Sequence, residues 1–219
     1  MTRPTKPDRC PACGQAAAVV WVHGHGQCAA CGTNIEPCCD GAATADGRDD
    51  DEVRVSLAPV VGVDPTVLVL GSMPGEESLR RQEYYAHPQN QFWRILGQIV
   101  GARPDLPYGE RLLRLQQARV ALWDVVHTCR RDGSADATIT DVEPNAIAAL
   151  LAVTPTIRRV LCNGQKAHDL FVRRIAPQLA PGRVELIRVP STSPAHAGMR
   201  MEQKLAAWRR ALVPSSAEP

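Results

Sequence analysis

Four short apolar runs punctuate the chain after residue 53: TVLVL at 66–70, VALW at 120–123, RVLC at 159–162 and VELIRV at 184–189. Each has the length of a strand and is rich in branched side chains. Segments with apolar residues at helical spacing separate them, over 91–100, 108–117, 144–153 and 164–180, and another covers 201–212. Parallel strands need a crossover of a dozen or more residues, usually a helix. The alternation therefore predicts an α/β domain, a parallel sheet with helices on both faces. No internal repeat is evident.

In an open sheet of this kind, ligands bind outside the carboxyl ends of the strands. The first run is followed by Gly71-Ser72-Met73-Pro74-Gly75, and the second by Asp124 and a stretch ending in His127-Thr128-Cys129-Arg130. The third ends in Asn163-Gly164, and the fourth in Pro190-Ser191-Thr192-Ser193-Pro194-Ala195-His196. All four ends carry polar loops with Gly or Pro. The first loop has neither the Lys and spacing of a P-loop nor a GxGxxG pattern, so nucleotide hydrolysis and dinucleotide binding are poorly supported. Aromatic residues make up 4% of the chain, yet four of the nine fall in the string YYAHPQNQFW at 84–93. Aromatic rings beside amide and imidazole groups suit a flat, hydrogen-bonding ligand such as a nucleobase. Tyr85 and Phe92 are the candidates for stacking on it, and Trp93 is expected in the core.

The N-terminal part has a different chemistry. Six of the eight cysteines precede residue 40. Cys10 and Cys13 form one CxxC pair, and Cys28 and Cys31 form another after fourteen intervening residues, each pair followed by Gly. Two such pairs can supply four thiolates to one tetrahedral Zn²⁺. The segment is too small to hold together by burial, so a structural zinc is the better account of its order. A zinc ribbon over 1–39, with a hairpin between the pairs, is the expectation. Cys38 and Cys39 have no partner pair and stay unassigned. An acidic stretch at 40–52 reads as a linker, 53–214 as the main domain and 215–219 as a tail.

Residues 1–52 carry four basic and eight acidic side chains, and residues 53–219 carry 21 and 15. The larger part is thus basic, which suits a phosphate backbone; an Arg-rich solvated surface explains it equally well. No apolar run is long enough to span a membrane, and the start of the chain lacks the apolar core of a secretion signal. A cytosolic monomer is the expectation.

The string GSMPGEESLRRQEYYAHPQNQFWRILG resembles the first motif of the hypoxanthine-DNA glycosylase family within the uracil-DNA glycosylase superfamily. LWDVVHTCRRDGSADATI and VLCNG resemble the middle segments of that family, and VPSTSPAHA resembles its second motif, a loop that enters the DNA minor groove. The resemblance runs from about 53 to 210 and leaves out the cysteine-rich part. It implies a three-layer α/β/α fold with a four-stranded parallel sheet. It implies cleavage of the N-glycosidic bond of a deaminated base, hypoxanthine and also uracil, in base excision repair, with no cofactor for catalysis. Double-stranded and single-stranded DNA become the expected partners, near the nucleoid. Where uracil-excising relatives carry a water-positioning Asp or Asn, this chain has Met73. The resemblance assigns water placement to Asn90 and base holding to Asn163, with Gly71, Ser72, Met73, Tyr85 and Phe92 around the base.

These roles agree with the chemistry. A base must leave the duplex before an enzyme can act on it. An Asn offers one donor and one acceptor side to a lactam edge, and a mismatched amino base would leave buried groups unpaired. Asn90 cannot take a proton, so it would orient water; Asn before a helix is also a common N-cap. Ser191, Thr192, Ser193 and His196 are expected to grip DNA phosphates. Two other readings stay open: a uracil or G·T/U mismatch glycosylase, and a non-catalytic binder of damaged or single-stranded DNA.

Overall fold

The computed structural model describes residues 19–22, 25–28 and 34–36, then 53–196 and 198–213. Two compact units divide the chain, 1–48 and 49–219. Their boundary falls within the stretch read as a linker. In the first unit, β1 (Val19–Val22) pairs antiparallel with β2 (His25–Cys28), which pairs in turn with β3 (Asn34–Glu36). The hairpin expected between the cysteine pairs is β1 and β2. Cys28 ends β2 and is described only as backbone, while Cys10, Cys13 and Cys31 lie outside the described residues.

In the second unit the chain runs β4 (Val53–Val55), β5 (Val67–Gly71), α1 (Glu76–Arg81), α2 (Phe92–Val100), α3 (Tyr108–Gln117) and β6 (Val120–Asp124). It continues β7 (Val126–Arg130), β8 (Thr140–Pro144), α4 (Ile147–Val153), β9 (Arg159–Asn163), α5 (Gln165–Leu170), β10 (Glu185–Val189) and α6 (Met201–Leu212). The main sheet has the order β10-β9-β5-β6, with every pair parallel. Its strands are the four apolar runs, each end within one residue of expectation. β5 and β6 are buried along their whole length. Helices covering both faces of a parallel sheet require just such unbroken apolar strands.

The helices at 91–100, 108–117 and 201–212 appear as α2, α3 and α6. The segment 164–180 departs from expectation. Only α5 is α-helical; a π-type turn at Phe171–Ile175 and a 3₁₀ turn at Ala176–Gln178 follow. Pro177 lacks an N–H and its ring crowds the carbonyl four residues back, so the α-ladder cannot pass through it. A second sheet, β4-β7-β8, is antiparallel and was not expected. Its strands are short and partly exposed, without the apolar run that marks the others.

The connections place the site. From β5 to β6 the chain moves one way along the sheet. From β6 it jumps back past β5 to β9, and then on to β10. Crossovers are right-handed in nearly all parallel sheets, so these two directions put their helices on opposite faces. α2 packs against α3 and α6, consistent with one shared layer, and α5 packs on β9. The reversal lies between β5 and β9, and a crevice opens at such a switch point.

Candidate active site

Strand register lines up the polar ends. Gly71 pairs with Asp124, Leu70 with Cys162, and Val189 with Asn163. Gly71, Asp124 and Asn163 therefore stand level across the carboxyl edge, Gly71 and Asn163 on the two strands of the switch point. A Cβ on Gly71 would sit 2.2 Å from Asp124 Oδ1 and 3.1 Å from the Tyr85 hydroxyl oxygen. The glycine is what lets those two polar groups approach the strand.

The following loop is fixed from beneath. Ser72 Oγ donates to Asp136 Oδ1 at 2.7 Å. The buried Arg131 guanidinium donates to the carbonyls of Met73 and Pro74. Met73 itself is buried among core residues. It supplies apolar bulk and no polar group.

Asp124 is 3% exposed and accepts a 3.3 Å hydrogen bond from Ser56 Oγ. Burial pushes its carboxyl up to about 7, and nearby Asp136 adds to the rise, against the pull of Ser56, Arg131 and Tyr84. An unfolded Asp titrates near 4, so the unfolded chain loses this proton first as pH rises. This group's contribution to stability therefore declines between about pH 4 and 7 and stays low above that. Asp124→Asn should cancel the penalty. Its unfolding free energy should exceed the wild type's by a few kcal/mol at pH 8 and differ least at pH 4. Urea melts at the two pH values would show this, and an equal offset at both would refute it.

Thr192 ties Asn163 to Gln91, the residue after Asn90. Asn163 Oδ1 accepts the Thr192 N–H at 2.9 Å, and Asn163 Nδ2 donates to Thr192 Oγ1 at 2.9 Å. The Thr192 carbonyl accepts the Gln91 N–H at 3.0 Å. Asn90 Oδ1 in turn accepts the Phe92 N–H at 3.0 Å, a local turn that leads into α2, whose N-cap position is Gln91. An amide oxygen has two lone pairs and an amide nitrogen two hydrogens. Thr192 uses one of each, which locks the Asn163 amide and leaves one acceptor and one donor for a ligand.

Thr192 was expected on the DNA-facing surface. It is instead fully buried, spent on Asn163 and Gln91. Ser191 and Ser193 are half-buried and stabilise their own turns: Ser191 Oγ accepts the Ser193 N–H, and Ser193 Oγ accepts the Ala195 N–H. His196 is exposed, and its carbonyl accepts a hydrogen bond from the buried Lys204 ammonium at 2.8 Å. The Trp208 indole N–H donates to Pro190 O at 2.9 Å and ties this loop to α6.

The aromatic string forms a cluster. Tyr85 and Phe92 stack on each other, centroids 3.9 Å apart and planes 21° apart. Phe92 is fully buried, with Trp93 and Trp208 edge-on at 5.0 and 5.8 Å. It was expected to offer a face to a base, and here Tyr85 covers that face. The Tyr85 hydroxyl oxygen is shut from solvent and makes no hydrogen bond of good geometry, although the Asn163 amide acts on it. Its backbone lies at φ 55°, a strained position for a bulky residue that costs of order 1 kcal/mol or more. Trp93 is in the core as expected, its indole N–H donating to Tyr84 O at 2.9 Å. Sequence reasoning missed the buried Arg131 and the clamp by Thr192. Only the Asn-Gly strand end and the Ser-Thr-Ser loop hinted at a meeting of β9 and β10.

A family model for the uracil DNA glycosylase superfamily matches residues 58–213. The chain belongs to the uracil DNA glycosylase superfamily. Within this superfamily it is similar to a hypoxanthine DNA glycosylase of Methanosarcina barkeri, 40% identical over 117 residues, 53% of this chain and 74% of that one. A hypoxanthine DNA glycosylase of Methanosarcina acetivorans is 39% identical over 118 residues, 53% and 75% of the two chains. The solution NMR structure of an M. acetivorans protein described as a candidate uracil DNA glycosylase superposes with a TM-score of 0.63. It is 30% identical in sequence, covering 74% of this chain and 97% of that one. The glycosylase fold thus spans the second unit, and the cysteine-rich part precedes the family match.

Proposed function

We propose that this DNA glycosylase of deaminated bases acts chiefly on hypoxanthine in DNA and more weakly on uracil. The observation that carries the reading is the Asn163 amide, locked at the switch point by Thr192 with one donor and one acceptor left. That pair complements a lactam N–H and C=O and leaves the amino group of adenine or cytosine without a match. Cleavage passes through an oxocarbenium-like sugar and expels the base as an anion. Asn90 cannot act as a base, so its task is to hold water by hydrogen bonding. Its Oδ1 already serves the α2 turn, which fixes where the rest of the amide points. The buried, apolar Met73 speaks against a chiefly uracil- or mismatch-directed enzyme, since it has no group to orient water. The presence of both Asn90 and Asn163 speaks against a pure DNA binder, which needs neither.

We place the protein in the cytosol as a monomer working on double-stranded DNA and also on single strands; no described helix is long and apolar enough to cross a membrane. Zinc held by Cys10, Cys13, Cys28 and Cys31 remains our proposal for the first unit. The CxxC spacing and a three-stranded antiparallel sheet lying largely between the pairs support it. Metal analysis of the full chain should give one zinc per molecule.

Labelled duplexes with one inosine, one uracil or neither test the function. Alkali after incubation should cut the inosine strand fastest, the uracil strand more slowly and the control not at all. Cutting of uracil alone would move the enzyme to a mismatch or uracil specificity. DNA binding without any cutting would leave only the binder.

A further inference from the structure

The Tyr85 ring stacks on Phe92 at the end of the sheet that carries Asn163. It lies over a face of Phe92 at the spacing of stacked rings, with Trp93 and Trp208 edge-on to the same ring. Its hydroxyl reaches the carboxyl edge of the sheet beside Gly71, between the ends that carry Asp124 and Asn163. That oxygen is buried, and the Asn163 amide acts on it without forming a hydrogen bond of good geometry, so the slot accepts the phenol poorly. Burial, with Asp124 adding and the Asn163 amide opposing, holds the hydroxyl firmly protonated. The left-handed backbone at Tyr85 adds strain to the same posture. A flat ligand with a donor and an acceptor at its far end would satisfy what the phenol leaves unsatisfied.

We propose that Tyr85 occupies the base slot of the DNA-free enzyme as a displaceable stand-in, and that its ring must leave Phe92 before a flipped base can enter. This rests on the reading of Phe92 and Asn163 as the base pocket. It makes Tyr85 an affinity-setting residue. Displacing the phenol costs the same for every base, so the occupant weakens hypoxanthine and uracil by one common factor and leaves their ratio to stacking area and the match to Asn163.

Direct binding of free hypoxanthine and free uracil to the purified full chain, by calorimetry, tests this without DNA. When the competent state is a minor fraction, apparent affinity falls by that fraction. Tyr85→Ala should therefore bind hypoxanthine about tenfold or more tightly than wild type. Free uracil should tighten by the same factor, because the displacement cost is common to both bases. Tyr85→Phe keeps the ring and removes the poorly bonded oxygen, so it should fill the slot better and bind the free bases a few-fold more weakly. Weaker base binding by Tyr85→Ala, with a melting profile like the wild type's, would overturn the proposal and make Tyr85 a stacking platform. Should Tyr85→Ala fail to fold, unchanged or tighter binding by Tyr85→Phe would overturn it. Excision of inosine by wild type, run alongside, reports separately on the glycosylase reading. A wild type that excises nothing while Tyr85→Ala gains base affinity would sink that reading and keep this one.

Discussion

Asn163→Asp should fold like the wild type and lose hypoxanthine excision by a hundredfold or more. The variant keeps the oxygen that accepts the Thr192 N–H, so the buried donor stays paired. The Thr192 hydroxyl can rotate and donate to the new oxygen where it now accepts from Nδ2. The loop therefore survives. What changes is the side turned to the base, where an acceptor replaces the donor that a lactam carbonyl requires. Asn163→Ala would strand the Thr192 N–H as well, at about 1–3 kcal/mol, and so confuses base reading with loop stability. Asn90→Ala forms the companion measurement. It forfeits a local turn bond worth about 1 kcal/mol, yet it should reduce single-turnover excision by two orders of magnitude or more if the amide holds the water. An Asn90→Ala enzyme whose rate falls only in step with its stability would leave Asn90 as a turn residue alone.

Gly71→Ala should be the most damaging single-methyl change in the sheet. The added carbon meets Asp124 Oδ1 at 2.2 Å, far inside contact distance, and the Tyr85 hydroxyl at 3.1 Å. Asp124 cannot simply swing away, because Ser56 holds it and it is buried. Overpacking of this kind costs about 1–3 kcal/mol, which in a chain of this size lowers Tm by roughly 3–10 °C. The same shift should disturb Tyr85 and the level line of strand ends, with excision falling more steeply than stability. Adding Asp124→Ala to Gly71→Ala should recover part of the Tm, because the two groups share one space. Strictly additive losses would show that the collision is relieved elsewhere.

The sheet was legible because burial on both faces writes each strand as an unbroken apolar run. The residues 120–124 show it plainly, all five buried. The helices α3 and α6 were legible from the 3.6-residue spacing of Leu112, Leu115 and Leu205, Trp208, Leu212. β7 and β8 were not, since HTCR and TDVE alternate too little for a strand pattern to emerge. In the site, residue types at the strand ends pointed to the place and the ligand class. They could not say which aromatic ring covers which. Tyr85 and Phe92 sit seven positions apart in one string, and only the left-handed turn at Tyr85 brings their faces together. Thr192 looked like a surface hydroxyl because hydroxyl-rich loops usually are; its burial follows from the meeting of two loops distant in sequence. Arg131 was hidden by the same rule, since arginine is seldom buried unless its donors find acceptors, here the Met73 and Pro74 carbonyls.

The dependence of Asn163 on Thr192 also sets a calendar. A ribosome delivers about 5–20 residues per second, so strand ends through 163 emerge seconds before residue 192, and Trp208 of α6 comes later still. Until then the Asn163 amide is free to turn over, and the recognition edge has no fixed sense. The growing enzyme passes through an interval in which its chemistry-bearing residues exist but cannot tell one base from another. On the proposed role of Asn163, fidelity would be among the last properties to be completed, supplied by residues 192–208.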